Sequence, residues 1–197
     1  MTKTHFIKTF NTPLIALGTT LCTTTLFNIA KRFVVEISSS DNLMSQLPFS
    51  LIFDLSMKVA GISLFTSLIA IMIAVIVVIC ELADRKWNDS LDNLYPSIIE
   101  TIKTRKYLYQ RVLFGQNRTI NQKLFNKSLK YLYVDIRNDR YILFMKYPST
   151  DQANELLEQK IESLTKHIKT KNTNLFSFSE ASYEKDGVWL IGSRKNS

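Results

Sequence analysis

Eight basic residues lie between positions 103 and 130, and no acidic residue occurs between Thr101 and Val134. Aromatic side chains such as Tyr107, Phe114 and Tyr131 are interleaved with them. Cationic groups that alternate with flat aromatic rings can contact phosphates and stack on bases, as in nucleic-acid-binding proteins. The predicted contact residues are Lys103, Arg105, Lys106, Arg111, Arg118, Lys123, Lys127 and Lys130.

The same basic segment also suits the anionic surface of a membrane, where each lysine contributes about 1 kcal/mol of attraction. The formal charge of +8 and the pI near 9.5 agree with either kind of acidic partner. We favour membrane proximity or a solvated helix face over direct nucleic-acid binding, and an acidic protein partner is the third alternative.

Other residues that could do chemistry have simpler interpretations. Asp135 and Asp139 flank an Arg-Asn turn, and we expect them to cap that turn instead of forming an acid-base or metal-binding pair. Trp189 follows a glycine turn and is expected to be a core or interface aromatic. Trp87 lies just beyond an apolar run, as membrane-interface anchors do.

The chain lacks the residues that several enzymatic activities require. The five glycines, at positions 18, 61, 115, 187 and 192, cannot form a dinucleotide-binding or P-loop motif. His5 and His167 lie far apart, and Cys22 and Cys80 fall within apolar runs, where they resemble small buried hydrophobic residues. The sequence therefore predicts no catalytic site, no metal and no cofactor.

Two apolar runs dominate the first 82 residues. Residues 59–80 carry no charge over 22 positions, which as a helix is long enough to cross a hydrocarbon core of about 30 Å. Residues 12–30 are also uncharged but contain several threonines, whose hydroxyls can bond their own helix or a neighbouring one. The sequence therefore predicts a transmembrane hairpin anchor over residues 1–82.

A cleaved secretory signal is the alternative interpretation of the first run, because Lys3 and Lys8 precede it. Cleavage after Ala30 would place the bulky Asn28 at the minus-three position, which disfavours this alternative. Basic residues before the first run and after the second predict that both termini are cytoplasmic. The loop from Phe33 to Met57 is then external, with residues 49–55 lying along the interface or extending the second helix.

The remaining residues alternate between helical and strand patterns. A basic helical connector is predicted over residues 83–130, with one helix from Pro96 towards Gly115 and another over residues 119–130. A small domain over residues 131–197 contains a hairpin, a helix at 150–170 with a capping box at its start, and a second hairpin of residues 175–183 and 188–192.

The predicted fold class is therefore membrane-anchored α+β: two transmembrane helices, then a small two-layer domain with helices followed by the order β-β-α-β-β. One helix covers one face of the sheet, and the other face needs a cover. The connector helices, a second copy of the chain or a partner protein could supply it.

This order of elements resembles the membrane-proximal part of the coupling proteins of conjugative (type IV secretion) DNA transfer, including the FtsK-like family. The corresponding stretch runs from Tyr141 through the helix at 150–170 to Ile191. The resemblance covers the order of elements only, and the chain lacks the ATPase motor of that family. It implies an anchor or adaptor that recruits a separate ATPase.

The sequence thus predicts a non-enzymatic, multi-pass protein of the cell membrane whose soluble domain docks a cytoplasmic protein in DNA transfer or secretion. The alternative is a membrane effector, such as a toxin or defence protein, whose spans oligomerise while the basic domain senses a ligand. The threonine-rich first run motivates this alternative.

Overall fold

The computed structural model describes residues 3–38, 49–109 and 120–195. They form two compact units: residues 9–81 are the first, and residues 82–195 together with residues 3–8 are the second. We call the second one the soluble unit. The predicted connector (83–130) and the predicted small domain (131–197) thus lie in the same unit, and the first residues of the chain belong to it as well.

The described residues of the first unit form two helices that are long and apolar enough to cross a membrane. Helix α2 spans Asn11–Ser38, after the short helix α1 (His5–Thr9), and helix α3 spans Phe49–Asn88. The predicted loop of residues 33–57 is shorter than expected because both helices extend into it, and residues 49–55 extend the second helix. Residues 39–48 lie outside the described part of the chain.

Small side chains line the contact between these two helices. Ala16 on α2 and Ser63, Ser67 and Ala70 on α3 are buried. The Ser63 hydroxyl donates a hydrogen bond to the Thr23 carbonyl oxygen at 3.0 Å. Small residues let helix backbones approach closely in an apolar environment, and such a hydroxyl bond fixes their register.

Besides residues 5–8 of α1 and the end of α3, the described residues of the soluble unit form three helices, two 3-10 turns and five strands. A 3-10 turn (Leu91–Asn93) leads into α4 (Leu94–Leu108), and α5 (Ile120–Ser128) leads into a second 3-10 turn (Leu129–Tyr131). The remaining elements are β1 (Leu132–Ile136), β2 (Arg140–Met145), α6 (Asp151–Asn172), β3 (Phe176–Phe178), β4 (Ser182–Glu184) and β5 (Gly187–Arg194).

All strand pairs are antiparallel, in the order β1-β2-β5, with β3 and β4 both paired to the far side of β5. The two long apolar helices and this small antiparallel sheet confirm the coarse part of the predicted fold class. The prediction of one strand over residues 175–183 was wrong. Phe178 faces Gly192 and Ser182 faces Trp189, so three residues oppose two between the pairs and a bulge divides the strand.

One face of the sheet packs against α6. Leu157, Ile161, Leu164 and Ile168 recur at helical spacing and are buried. They join alternate strand residues in a single core, including Leu132, Val134, Tyr141, Leu143, Met145, Val188 and Leu190. Burial raises the pKa of the Tyr141 hydroxyl far above its ordinary range, so this phenol stays neutral.

The opposite face carries a row of aromatic rings across three strands. Tyr133 pairs with Phe144, and Phe144 pairs with Trp189, whose ring centroid lies 4.7 Å from that of Phe144. The Lys3 ammonium lies 4.3 Å above the Phe144 ring, and Phe6 and Ile7 are each 3% exposed. The chain's own first residues therefore contribute to the second cover of the sheet, a source that the sequence did not suggest.

The predicted capping box at the start of α6 was wrong. Thr150 occupies the N-cap position but makes no side-chain hydrogen bond to the helix. The side-chain Oε1 of Gln152 accepts a hydrogen bond from the Asn121 Nδ2 at 2.6 Å instead of reaching back to the cap. The glutamine is thus used to hold α5 to α6.

Gly187 begins β5 with a φ of 156°, a region that side chains rarely adopt. A Cβ there would lie 2.8 Å from the Phe144 ring and closer still to the Met145 carbonyl oxygen. Gly187→Ala is expected to lower the free energy of unfolding of the soluble unit by about 1–3 kcal/mol. Urea unfolding of the full chain in mild detergent, followed by Trp189 emission in a Trp87→Phe background, measures this change.

Gly61→Ala is the matched control, because nothing lies within 4 Å of the added methyl group. An unchanged midpoint for Gly187→Ala would contradict the conformation of this turn.

Candidate functional site: the basic helices and the ions beneath them

Helix α4 lies along the free edge of strand β1 and bonds to it through side chains. The Ser97 hydroxyl accepts from the Ile136 amide, and the Thr101 hydroxyl accepts from the Val134 amide, both at 2.9 Å. The Thr101 hydroxyl also donates to the Val134 carbonyl oxygen at 3.2 Å, whereas the single proton of the Ser97 hydroxyl is shared between the carbonyl oxygens of Asn93 at 2.7 Å and Ile136 at 3.2 Å. The Arg105 Nε donates to the Leu132 carbonyl oxygen at 2.9 Å. The helix thus satisfies backbone groups that an edge strand would otherwise expose.

The spacing explains why this arrangement works. Four helical residues advance about 6.0 Å along the axis, and two strand residues advance about 6.6–6.8 Å. Residues four apart on α4 therefore meet residues two apart on β1. This gives three successive pairs: 97 with 136, 101 with 134, and 105 with 132. The buried positions of α4 are consequently polar, namely Ser97, Thr101 and Thr104, with Leu108 as the exception.

Arg105 therefore serves mainly to hold α4 against the sheet. Besides Leu132, its guanidinium donates to the Lys130 carbonyl oxygen at 2.8 Å and lies 5.3 Å from the Tyr133 ring centroid. Burial lowers the pKa of Arg105, and Tyr133 opposes this shift. Of the eight predicted contact residues, this one is held inward.

The other predicted contact residues are distributed over several surfaces. Lys103 and Lys106 are exposed on the outer side of α4, and Lys123, Lys127 and Lys130 are exposed on or just after α5. Lys106 and Lys130 share a shallow cavity of about 340 Å³ with Tyr109, whereas Lys127 lines a separate cleft. Arg111 and Arg118 lie outside the described residues.

The outer side of α4 also exposes apolar and aromatic side chains. Tyr95 is 72% exposed and Ile102 is 52% exposed. With Lys106 they follow the spacing i, i+7, i+11, so they share one helical face with one another, and Lys103 adjoins it. We call Tyr95, Ile102, Lys103 and Lys106 the outer stripe.

Asp135, which was expected to cap the turn, is instead fully buried, so that prediction was wrong. Its carboxylate pairs with the guanidinium of Arg85 and, at 3.2 Å, with that of Arg137. The amide of Asn138 in the turn is bound by Asp89 at 2.7 Å. Asp139 is exposed and lies 3.6 Å from Arg140. The two aspartates are not brought together.

Arg85 is the centre of this buried ionic network. It is 0% exposed, and its Nη1 donates to Asp89 at 2.8 Å and to the Ile136 carbonyl oxygen at 2.7 Å. Arg137 adds a bond to Asp84 at 2.8 Å. Burial alone would lower the pKa of Arg137, but Asp135 and Asp84 raise it above its ordinary value. These ions are held by one another and by backbone, which makes the network structural.

Trp189 is buried, which confirms that it is a core aromatic. Within residues 3–38, 49–109 and 120–195, no group of three or more histidine, cysteine, aspartate or glutamate side chains is arranged to hold a metal ion. No known protein family, curated protein or solved structure matches the chain.

Proposed function

We propose that the chain is a non-enzymatic membrane-anchored adaptor or assembly subunit whose soluble unit docks a cytoplasmic protein. The outer stripe of α4 is the observation that carries this proposal. Exposed Tyr95 and Ile102 offer apolar contact area, and the ammonium groups of Lys103 and Lys106 beside them favour an acidic partner. A surface helix usually exposes polar groups and buries apolar ones, whereas most buried positions of α4 are polar and two of its exposed ones are Tyr95 and Ile102.

The opposite side of α4 supports the same role. Its hydrogen bonds to β1 hold the helix against the sheet through buried contacts, so the outer stripe does not need to order itself on binding. A preorganised surface loses less conformational entropy when a partner associates. The outer stripe is therefore a rigid surface that a partner can bind without further ordering of the helix.

Membrane anchoring is supported by the apolar side chains on the outside of the first unit. Ile15, Leu21, Ile62, Phe65 and Leu68 are each more than 60% exposed, and they are part of a much longer series along α2 and α3. An exposed apolar surface of this extent is unfavourable in water and favourable in lipid.

The composition of the soluble unit supports the proposed orientation. Residues 3–8 precede the first candidate span and residues 82–195 follow the second, yet they belong to one compact unit. Such a unit requires both segments to lie on the same side of the membrane. With the basic residues after the second span, this supports a cytoplasmic location for both termini. The resemblance to conjugative coupling proteins favours DNA transfer or secretion as the setting, with a separate ATPase as partner.

Site-specific photocrosslinking tests the docking surface. A benzophenone side chain at Tyr95 or at Ile102 of the full-length protein in cells is expected to capture one protein partner, and the same group at the exposed Lys160 of α6 is not. Lys103→Glu combined with Lys106→Glu should reduce the crosslink at least about tenfold, since like charges replace complementary ones. Equal capture at all three positions, or none, would refute this surface.

The rival function is a membrane effector, and the first unit gives it less support. The threonines of α2 donate their hydroxyl protons to carbonyl oxygens of the preceding turn of the same helix, so these donors do not need polar partners in an oligomer. The residues are Thr19, Thr20, Thr23, Thr24 and Thr25. Rapid depolarisation on induced expression would nevertheless favour the effector over the adaptor.

A further inference from the structure

A basic cleft of about 540 Å³ opens on the soluble unit and shares no lining residue with the outer stripe. It lies where the end of α5, the end of β2, the turn before β5 and the first residues of the chain meet. Four lysines line it, together with the acidic Asp186: Lys3, Lys127, Lys146 and Lys185. We call this the lysine cleft. Only Lys127 belongs to the basic segment that the sequence singled out.

The charges of the lysine cleft are unbalanced. Lys3 lies 2.8 Å from the Asp186 carboxylate and lowers the pKa of that carboxyl, so this pair is neutralised. Within the described ranges, no carboxylate pairs with Lys127, Lys146 or Lys185. Three like charges around one cavity repel one another, and an anion bound between them removes that repulsion.

Neutral groups in the cleft are also suited to an anion with several oxygen atoms. Three residues that carry hydroxyl groups are among those that line it: Tyr131, Tyr147 and Ser149. The Lys146 ammonium lies 5.6 Å from the Tyr131 ring centroid, and Lys130 lies 4.8 Å from it on the same ring, so the tyrosine is held by two cations. A phosphate offers the charge and the acceptor oxygens that such donors require.

We infer that the lysine cleft binds a phosphate group. Its volume lies within the range of small-molecule sites, so a phosphate with a small organic substituent fits. Two sources share this chemistry: the headgroup of an anionic lipid and a free phosphate compound. Five residues separate Lys3 from Thr9, where the unit of apolar helices begins. This short connection makes a lipid headgroup the source that we favour.

Thermal unfolding of the full-length protein in dodecyl maltoside, followed by tryptophan emission, tests the inference. The three probes are dioctanoyl phosphatidylglycerol, dioctanoyl phosphatidylcholine and inorganic phosphate. Binding to the folded state raises the midpoint temperature in proportion to the logarithm of ligand concentration. The phosphatidylglycerol is expected to raise it, and the zwitterionic phosphatidylcholine is not.

The decisive variant combines Lys127→Gln, Lys146→Gln and Lys185→Gln. It is expected to bind roughly 100-fold more weakly, because three cation contacts are lost. Its control combines Lys160→Gln, Lys166→Gln and Lys195→Gln, which removes the same charge from exposed lysines outside the cleft. If the first triple variant shows no cooperative transition, Lys127→Gln and Lys146→Gln singly should each weaken binding about fivefold.

Each outcome has one meaning. A shift with phosphatidylglycerol alone identifies a lipid headgroup, and a shift with inorganic phosphate as well identifies a free phosphate; both support the cleft. Equal responses of the two triple variants, or no shift of the unaltered protein with either anion, overturn it. Crosslinking at Tyr95 and Ile102 uses other residues, so its result is independent.

Discussion

Replacing Arg85 with alanine is expected to lower the free energy of unfolding of the soluble unit by about 3–5 kcal/mol. The substitution removes the guanidinium that bonds Asp89, Asp135 and the Ile136 carbonyl oxygen, and the side chains of all three charged residues are buried. A buried carboxylate that loses one of its cations pays desolvation without the attraction that compensated for it. Urea unfolding of the full chain in detergent, read from Trp189 in a Trp87→Phe background, measures the loss.

Two further variants separate the network from a general effect of charge. Lys86→Ala removes the neighbouring exposed cation and should change the free energy of unfolding by less than about 0.5 kcal/mol. Arg85→Ala combined with Asp135→Ala should be less destabilising than the sum of the two single variants, because the unpaired carboxylate has also gone. Additive losses would mean that Arg85 and Asp135 act independently.

Removing the polar side of α4 is expected to have the second largest effect. Ser97→Ala with Thr101→Val keeps the size of both side chains nearly unchanged but leaves the Ile136 and Val134 amides without their hydroxyl acceptors. Each buried donor without a partner costs about 1–3 kcal/mol, so the double variant should lose about 2–6 kcal/mol of stability. Amide hydrogen exchange at Val134 and Ile136 should accelerate in parallel.

Thr104→Val is the matched control for this experiment. Thr104 lies on the same helix and is buried, but within the described residues it makes no hydrogen bond to β1. It should therefore leave exchange at Val134 unchanged. If the control accelerates exchange as strongly as the double variant, the hydroxyl bonds do not hold the edge of the sheet.

Elements whose pattern is set by their own residues could be predicted from the sequence. The uncharged run of residues 59–80 predicts an all-round apolar helix, and Leu157, Ile161, Leu164 and Ile168 predict one buried face of α6. The hairpin of β1 and β2 follows from two apolar runs around a short polar turn. In each case, the residue pattern of the element itself determines its type of secondary structure.

Features that depend on distant partners could not be predicted in this way. In the sequence, Ser97, Thr101 and Arg105 look like a solvated helical face. Their spacing matches the backbone hydrogen-bonding groups of β1, which lie beside them only in the folded unit. Arg85 looks like an ordinary cation after an apolar run, although the Asp89 one turn later was a signal of a local ion pair. The lysine cleft joins residue 3 to residues 127, 146 and 185, which no local pattern relates.

The place of residues 3–8 in the soluble unit has a consequence for biosynthesis. These residues are synthesised before the two apolar helices, whereas β5, which supplies Trp189 to the aromatic row, is synthesised after them. The aromatic row can be completed only after β5 has been made, and residues 3–8 remain undocked until then. Synthesis of both apolar helices therefore precedes closure of the unit that they interrupt.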